Sequence, residues 1–220
     1  MSVTQAVTQA TFCATLVDEW LRAGVTDAVV CPGSRSTPLA LALAARPELR
    51  CHVRLDERGA GFFAVGLGLA TGRPVVVCTT SGTAAVELHP AVVEAHHGRV
   101  PVIVCTADRP PELQQVGAPQ TIVQAGLYGQ AVRWSADPGV PVEATRGAWR
   151  SLAARTVAEA MSGPAGPGPV HCNLAFRDPL VGEPGPLPEG RSGGAPAHRV
   201  AAPGAGAVPG GAEIVSSWVG

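Results

Sequence analysis

Six short runs of apolar, mostly β-branched residues alternate with segments of helical periodicity, and this alternation limits the possible folds more than any other feature. The predicted strands are residues 27–31, 51–55, 74–79, 100–106, 131–135 and 169–173. The predicted helices are residues 8–22, 38–45, 59–70, 83–97 and 142–161. Strands that are apolar nearly throughout are typical of a parallel sheet buried on both faces. The sequence therefore predicts an α/β fold, doubly wound, with a mainly parallel sheet and helices on both faces.

The composition changes near residue 180 and divides the 220-residue chain into three parts. Residues 1–180 carry the strand and helix patterns and are long enough for one sizeable domain. Residues 181–212 are rich in Gly, Pro and Ala with little apolar periodicity, which is typical of a linker. Residues 213–220 become apolar again, and we interpret them as the start of a further, truncated domain.

The charged residues exclude several classes of function. The basic residues number 16 and all are arginine, so the chain lacks the lysine of a P-loop and of a Schiff-base enzyme. A net charge of −1 gives no reason to expect nucleic acid as a partner. No apolar run reaches the length of a membrane span, and the first ten residues lack the pattern of a signal peptide. We therefore expect a cytoplasmic protein.

A polar turn follows each of the first four predicted strands. These turns are residues 32–38, 56–59, 80–84 and 107–113. Because ligands bind beyond the carboxyl ends of the strands in open parallel sheets, we expect the four turns to form one site. Each turn alone could instead be a helix cap, or for Asp108 and Arg109 a surface ion pair. Their convergence on one edge favours the binding site.

Glu57 is the main candidate for chemistry within these turns. It precedes an apolar helix with small residues, so we expect its carboxylate to be poorly hydrated and to hold a proton. Glycines in that helix allow a backbone or a flat ligand to approach closely. The alternative is that Asp56 and Glu57 only complement the dipole at the start of the helix. No G-x-G-x-x-G opens a helix after the first strand, so the sequence lacks a dinucleotide-binding motif.

Six strings of the sequence, in order over residues 8–180, together resemble one family. They are Cys-Pro-Gly-Ser-Arg-Ser-Thr-Pro-Leu (31–39), Asp-Glu-Arg-Gly-Ala-Gly-Phe (56–62), Thr-Ser-Gly-Thr-Ala (80–84), Thr-Ala-Asp-Arg-Pro-Pro-Glu-Leu (106–113), Gly-Ala-Pro-Gln-Thr-Ile (117–122) and Gly-Pro-Val-His-Cys-Asn-Leu-Ala-Phe-Arg-Asp-Pro-Leu (168–180). They resemble the N-terminal, pyrimidine-binding domain of the 2-succinyl-5-enolpyruvyl-6-hydroxy-3-cyclohexene-1-carboxylate synthases. A glutamate before a Gly-rich helix is shared by thiamine diphosphate enzymes generally.

The resemblance implies a thiamine-diphosphate-binding fold and a transferase reaction of menaquinone biosynthesis. In that reaction 2-oxoglutarate is decarboxylated and the resulting carbanion adds to isochorismate. By resemblance Glu57 is the catalytic residue, which holds the aminopyrimidine ring and activates the cofactor. The residues that the resemblance assigns to cofactor binding are Glu57, Ser81, Gly82 and Thr83. Those it assigns to substrate binding are Ser34, Arg35, Arg109 and Gln120.

The sequence departs from the family in one respect. Thiamine enzymes bind Mg²⁺ and the diphosphate through a Gly-Asp-Gly motif followed by an asparagine, and this chain contains no Gly-Asp-Gly. We therefore assign no metal ligand here and expect the diphosphate-binding domain of a second subunit, in a homo-oligomer, to bind Mg²⁺ and complete the site. We expect the 220 residues alone to be inactive and to bind the cofactor weakly.

Two alternatives remain open. The chain could be the pyrimidine-binding domain of another thiamine enzyme, of the acetolactate synthase or decarboxylase type. Such an enzyme would share Glu57 but would not need the arginines of the first and fourth turns. The chain could also be a non-catalytic α/β binding or interaction module.

Overall fold

The computed structural model describes residues 2–190, with side chains from residue 5 onward. Its α-helices are α1 (Ser2–Arg22), α2 (Thr37–Ala44), α3 (Glu57–Thr71), α4 (Thr83–Glu87), α5 (His89–His97) and α6 (Trp149–Ser162). Its strands are β1 (Asp27–Val30), β2 (Arg50–Val53), β3 (Val75–Thr79), β4 (Val102–Asp108), β5 (Trp134–Ala136) and β6 (Val170–Ala175). Most of the predicted linker 181–212 and all of the predicted domain start 213–220 lie outside the described residues.

The six strands form one sheet in the order β2-β1-β3-β4-β6-β5, and every neighbouring pair is parallel. The predicted α/β fold with a parallel sheet is thus confirmed. From β1 the chain winds outward to β2, and from β3 it winds the other way to β4. The direction of winding therefore reverses between β1 and β3, which is where ligands bind in sheets of this kind.

The helices cover both faces of the sheet because the side chains of its central strands alternate between two hydrophobic layers. Val76 and Cys78 of β3 belong to the layer formed with α1, α2 and α6. Val75 and Val77 belong to the opposite layer, formed with α3 and α5. Both faces of β3 are buried as a result, and the sheet holds the turns at its carboxyl edge on a rigid frame.

Three local expectations were wrong. The edge strand β2 is mostly exposed, and β5 is only partly buried, because each has a neighbouring strand on one side only. The helix predicted over 83–97 is divided at Leu88, since Pro90 in the first turn of α5 cannot continue the hydrogen bonding of α4. The helix predicted from 142 starts later, because Glu143–Ala148 forms a 3₁₀ segment before α6. No helix among residues 2–190 is long and apolar enough to cross a membrane.

An ion pair fastens the edge strand β2 to β1. The buried carboxylate of Asp27 accepts hydrogen bonds from Arg50 Nε (2.9 Å) and Nη2 (2.7 Å), and His52 Nε2 lies 3.0 Å from it. The hydrogen bonds from Arg50 are the main cause that holds the pKa of Asp27 well below its usual range. The pair therefore stabilises the fold while Asp27 is ionised.

The described part of the predicted linker lies against the domain. Gly185 N donates to Thr11 Oγ1 (2.8 Å), and Arg150 Nε donates to the Pro188 carbonyl (2.9 Å). A Cβ at Gly182 would lie 2.7 Å from backbone atoms of Ala6, so only glycine allows this approach to α1. Residues 181–190 therefore contact the domain through backbone groups. Because backbone contacts do not depend on side-chain type, they produce no apolar periodicity in the sequence.

Candidate functional site

The first and third polar turns meet at the point where the winding reverses. Gly33 lies in the turn after β1, and Thr80 directly follows β3, which is the neighbouring strand. A Cβ at Gly33 would lie 2.3 Å from Thr80 Cβ, so any other residue here would force the two turns apart. The predicted convergence of these turns is therefore present in the structure, and a glycine makes it possible.

The two acidic residues at the start of α3, Asp56 and Glu57, have different roles. Asp56 is the N-cap of α3, and its Oδ1 accepts a 2.6 Å hydrogen bond from Gly59 N. Glu57 is the first residue of the helix, and its side chain makes no hydrogen bond or ion pair with any residue of the described chain. Because Asp56 alone supplies the cap, the Glu57 carboxylate remains available to a ligand.

The surroundings of Glu57 are partly open to solvent in the described chain. Burial raises the pKa of Cys31 to about 12, and the nearby carboxylates of Glu57 and Asp56 add to this shift. Cys31 directly follows β1, so Glu57 lies close to the carboxyl end of that strand. Glu57 is half-exposed and the neighbouring Leu55 is 86% exposed, so the poor hydration of the Glu57 carboxylate stays a prediction for the assembled site.

Helix α3 has one packed face and one exposed face. Gly61 and Gly68 belong to the packed face, where a Cβ would lie 2.7 Å from Ala91 Cβ and 2.5 Å from Val100 Cγ1 respectively. These two glycines therefore allow the helix to approach its own domain closely. The exposed face carries a stripe at helical spacing that starts in the same turn as Glu57. We call it the α3 stripe; its residues are Gly59, Phe62, Gly66 and Leu69.

Arg109 lies in the turn after β4 and is held by the turn after β3. Its Nη1 donates to Ser81 Oγ, and its Nη2 donates to the Pro119 carbonyl at 3.1 Å. Burial is the main cause that lowers the pKa of Arg109, and the positive charge of Arg35 lowers it further. Asp108 is buried and accepts from the Arg109 backbone N–H, so the alternative of a surface ion pair between them was wrong.

Arg35 lies in the turn after β1 and is 9% exposed. Its Nη1 donates to the Phe176 carbonyl and to Asp178 Oδ2, both at 3.0 Å. Its Nε is buried and has no hydrogen-bond partner among the described residues. A buried, unpaired N–H of a charged group costs at least about 1–3 kcal/mol. Two neighbouring guanidinium groups, one with an unpaired N–H, fit an anionic ligand.

Ser81 and Gly82 are buried, and their polar groups bind other parts of the protein. Ser81 Oγ donates to the Gln120 carbonyl (3.0 Å), and Gln120 Nε2 donates back to the Ser81 carbonyl (3.0 Å). Gly82 N donates to Gln124 Oε1 at 2.8 Å. Gln120 has a φ of 56°, a backbone conformation that costs energy for a residue other than glycine. Ser81 therefore holds Arg109 and Gln120 in place, and Gly82 is bound to Gln124.

Three predicted site residues are exposed at the same edge: Ser34, Thr83 and Gln120. The hydroxyl groups of Ser34 and Thr83 make no hydrogen bond with another described residue. Thr83 is the first residue of α4. The structure thus brings all the predicted residues to the carboxyl edge of the sheet, in the segments that follow β1, β2, β3 and β4.

A buried polar network below the site was missed by the sequence reasoning. Asn173 Nδ2 donates to Asp108 Oδ2 (2.8 Å), and its Oδ1 accepts from Gln124 Nε2 (2.9 Å) and Thr106 Oγ1 (3.0 Å). Thr106 Oγ1 also lies 2.8 Å from Nε2 of His171, whose pKa burial lowers to about 4. The available signal was the presence of polar residues within otherwise apolar strands, which indicates paired side chains.

Comparison with curated proteins identifies relatives that align with three quarters or more of this chain. The chain is 60% identical over 178 residues to the 2-succinyl-5-enolpyruvyl-6-hydroxy-3-cyclohexene-1-carboxylate synthase of Thermobifida fusca. This alignment covers 79% of this chain and 32% of the relative. The chain is 54% identical over 167 residues to the synthase of the same name from Bacillus velezensis, covering 75% of this chain and 28% of the relative. The chain spans about a third of the length of these relatives.

A family profile also matches more than half of the chain. The profile described as "Thiamine pyrophosphate enzyme, N-terminal TPP binding domain" matches residues 11–127, which include the turns after β1, β2, β3 and β4. The Glu57 carboxylate lies at this edge and has no hydrogen-bond partner among the described residues, which agrees with a thiamine diphosphate site. By this match the chain belongs to the thiamine pyrophosphate enzyme family and carries its N-terminal TPP-binding domain.

Proposed function

We propose that this chain is the N-terminal part of a transferase that decarboxylates 2-oxoglutarate and adds the resulting carbanion to isochorismate, a step of menaquinone biosynthesis. The observation that carries this proposal is the pair of neighbouring, partly desolvated guanidinium groups of Arg35 and Arg109 at the edge that also presents Glu57. The names of the relatives support the same reaction.

In this proposal Glu57 acts on the cofactor. Thiamine diphosphate, when bound, supplies the carbanion chemistry. Glu57 would hold a proton at the ring nitrogen of the aminopyrimidine, because its carboxylate has no competing partner among the described residues. Asp56 keeps the first turn of α3 in place through its 2.6 Å hydrogen bond to Gly59 N. Thr83 lies at the same edge and is a further contact for the cofactor.

Arg35 and Arg109 would bind the carboxylates of isochorismate. A planar guanidinium matches a carboxylate through two parallel hydrogen bonds, which a lysine could not provide. Isochorismate carries two carboxylates, so two neighbouring guanidinium groups suit it. Ser34 and Gln120, both exposed beside these arginines, would contribute neutral hydrogen bonds.

The α3 stripe is the surface on which the second half of the site would dock. Phe62 and Leu69 are 44% and 65% exposed, and Leu55, just before the N-cap of α3, is 86% exposed. Exposed apolar side chains along one face of a helix are typical of a contact surface. We propose that the diphosphate-binding domain of a second subunit, which would bring Mg²⁺, covers this stripe.

The test of the reaction uses the complete protein that carries this chain, supplied with Mg²⁺, thiamine diphosphate, 2-oxoglutarate and isochorismate. We expect Arg35→Ala and Arg109→Ala each to raise the KM for isochorismate roughly ten- to hundred-fold, since each removes a charge-assisted pair. The KM for 2-oxoglutarate should change less. Arg155→Ala, which alters an exposed pair on α6 with Glu159, is the control.

Other outcomes of this assay are informative. Consumption of pyruvate alone, without a requirement for isochorismate, would show a thiamine enzyme of the acetolactate synthase or decarboxylase type. Absence of thiamine diphosphate binding by the complete protein would support the non-catalytic module. Loss of affinity for 2-oxoglutarate alone in both arginine variants would show that the substrate assignment is wrong.

The docking surface has a separate test. We expect Phe62→Asp and Leu69→Asp in the complete protein to weaken subunit association, measured by sedimentation velocity, because each places a charge in an apolar contact. Val181→Asp is the matched control, since Val181 is 67% exposed and lies outside the α3 stripe. An unchanged sedimentation coefficient for both α3 variants would rule out the stripe as the contact.

A further inference from the structure

The turn after β6, residues Phe176–Asp178, contacts two of the other turns of the site. Phe176 N donates to the Asp108 carbonyl (3.1 Å), and the Phe176 carbonyl accepts from Arg35 Nη1 (3.0 Å). Arg177 forms a two-point pair with Glu112, with 2.8 Å between Nη2 and Oε2. Asp178 Oδ2 accepts from Arg35 Nη1 at 3.0 Å. The turn is therefore bound to both regions that carry the substrate arginines.

The hydrogen bonds of Arg35 use only one end of its guanidinium group. Both leave from Nη1, and no other hydrogen bond from this side chain is formed with the described residues. The side edge formed by Nε and Nη2 thus remains unpaired. Among the described residues the same edge binds a carboxylate three times, in Arg50 with Asp27, in Arg177 with Glu112 and in Arg46 with Glu48. It is the edge suited to a two-point contact with a carboxylate.

Gln9 of α1 fixes the backbone of this turn. Its Nε2 donates to the carbonyls of Arg177 and Pro179, both at 2.8 Å, and its Oε1 accepts from Arg177 N at 3.1 Å. Gln9 is fully buried, so it does not touch a ligand. Its three hydrogen bonds hold the residues immediately before and after Asp178.

We infer that Asp178 is a positioning residue that holds Arg35 by its Nη1 end and turns the Nε and Nη2 edge toward an anionic substrate, with Gln9 setting the turn. This inference rests on the proposed function for the identity of the anion as a carboxylate. Asp178 has an exposed side chain (67%), whereas that of Arg35 is only 10% exposed. The aspartate can therefore be replaced without opening the core.

The test is a double-mutant cycle on the KM for isochorismate in the complete protein. We expect Asp178→Ala to raise this KM about tenfold and Asp178→Asn, which keeps an acceptor oxygen, to raise it less. In the Arg35→Ala background Asp178→Ala should change the KM less than about twofold, because it acts through Arg35. Glu159→Ala, which breaks an i,i+4 pair on α6, is the control. If Asp178 acted only through its negative charge, Asp178→Ala would lower the KM for isochorismate, because removing a carboxylate favours binding of an anion.

A second measurement is independent of turnover and uses the 220-residue chain. The Arg35 Nε–H signal in ¹H–¹⁵N spectra, assigned with Arg35→Lys, should exchange slowly with water in the wild type because Nε is buried. We expect Asp178→Ala to accelerate this exchange at least severalfold. Unchanged exchange would overturn the inference, as would a lowered or unchanged KM in an active enzyme. Accelerated exchange in a protein without synthase activity would retain the positioning role and refute only the proposed function.

Discussion

The separation of roles between Asp56 and Glu57 gives the most direct prediction about the mechanism. We expect Glu57→Gln to remove most of the activity of the complete protein while leaving the domain stable. Its amide cannot give or take a proton at neutral pH, although it can still form hydrogen bonds. A general acid–base role of this kind contributes about 10²–10⁴-fold to the rate.

The expected effect on stability follows from the contacts of the two side chains. Asp56→Ala removes the 2.6 Å cap on Gly59 N and should cost about 0.5–2 kcal/mol. Glu57→Gln removes no hydrogen bond within residues 2–190 and only a charge at a helix N-terminus, about 0.3–1 kcal/mol. For a domain of this size about 1 kcal/mol corresponds to roughly 2–4 °C in melting temperature. Asp56→Ala should therefore melt lower than Glu57→Gln.

The assay measures hydrogen–deuterium exchange at the thiazolium carbon of bound thiamine diphosphate, beside the melting temperatures of the same proteins. We expect slow exchange in Glu57→Gln and nearly normal exchange in Asp56→Ala. The reverse pattern, with normal exchange and a lowered melting temperature in Glu57→Gln, would show that Glu57 is structural. It would also refute the role of Asp56 as the only cap.

Three further predictions concern the stability of the domain and the protonation of a buried histidine. Gly33→Ala should cost about 1–3 kcal/mol in urea unfolding, because its Cβ would meet Thr80, whereas Gly66→Ala, with nothing within 4 Å, should stabilise the isolated chain by up to about 1 kcal/mol. Asp27, whose pKa is lowered in the folded state, stabilises the fold above its unfolded pKa, so stability should fall on acidification below about pH 4 and fall less in Asp27→Asn. Burial lowers the pKa of His171 to about 4, so an NMR titration should show a neutral His171 ring at pH 6. A charged ring at that pH would contradict its burial.

Much of the architecture was predictable because its causes are local. Apolar runs such as residues 75–78 and 102–105 lack alternation, and only burial on both faces explains that pattern. Once the strands are parallel, the turns that follow them must share one edge. The position of Glu57 and of the two arginines on that edge was therefore correctly predicted from order along the chain alone.

Other features depend on contacts between residues far apart in the sequence. The cap of α3 is not one of them, because Asp56 binds Gly59 only three residues away and Asp, unlike Glu, is a preferred N-cap residue. The hydration of Glu57 is one of them, since it depends on what covers the exposed face of α3.

The sequence by itself determined the fold class, the edge of the sheet that carries the site and the residue types available there. Only the tertiary structure decided how those residues are held. Arg35 pairs with Asp178, 143 positions away, and Gln9 binds the backbone 168 positions away at Arg177. Such pairs leave no periodic signal, because each requires one hydrogen-bond partner at one position, whereas burial acts on every residue of a strand.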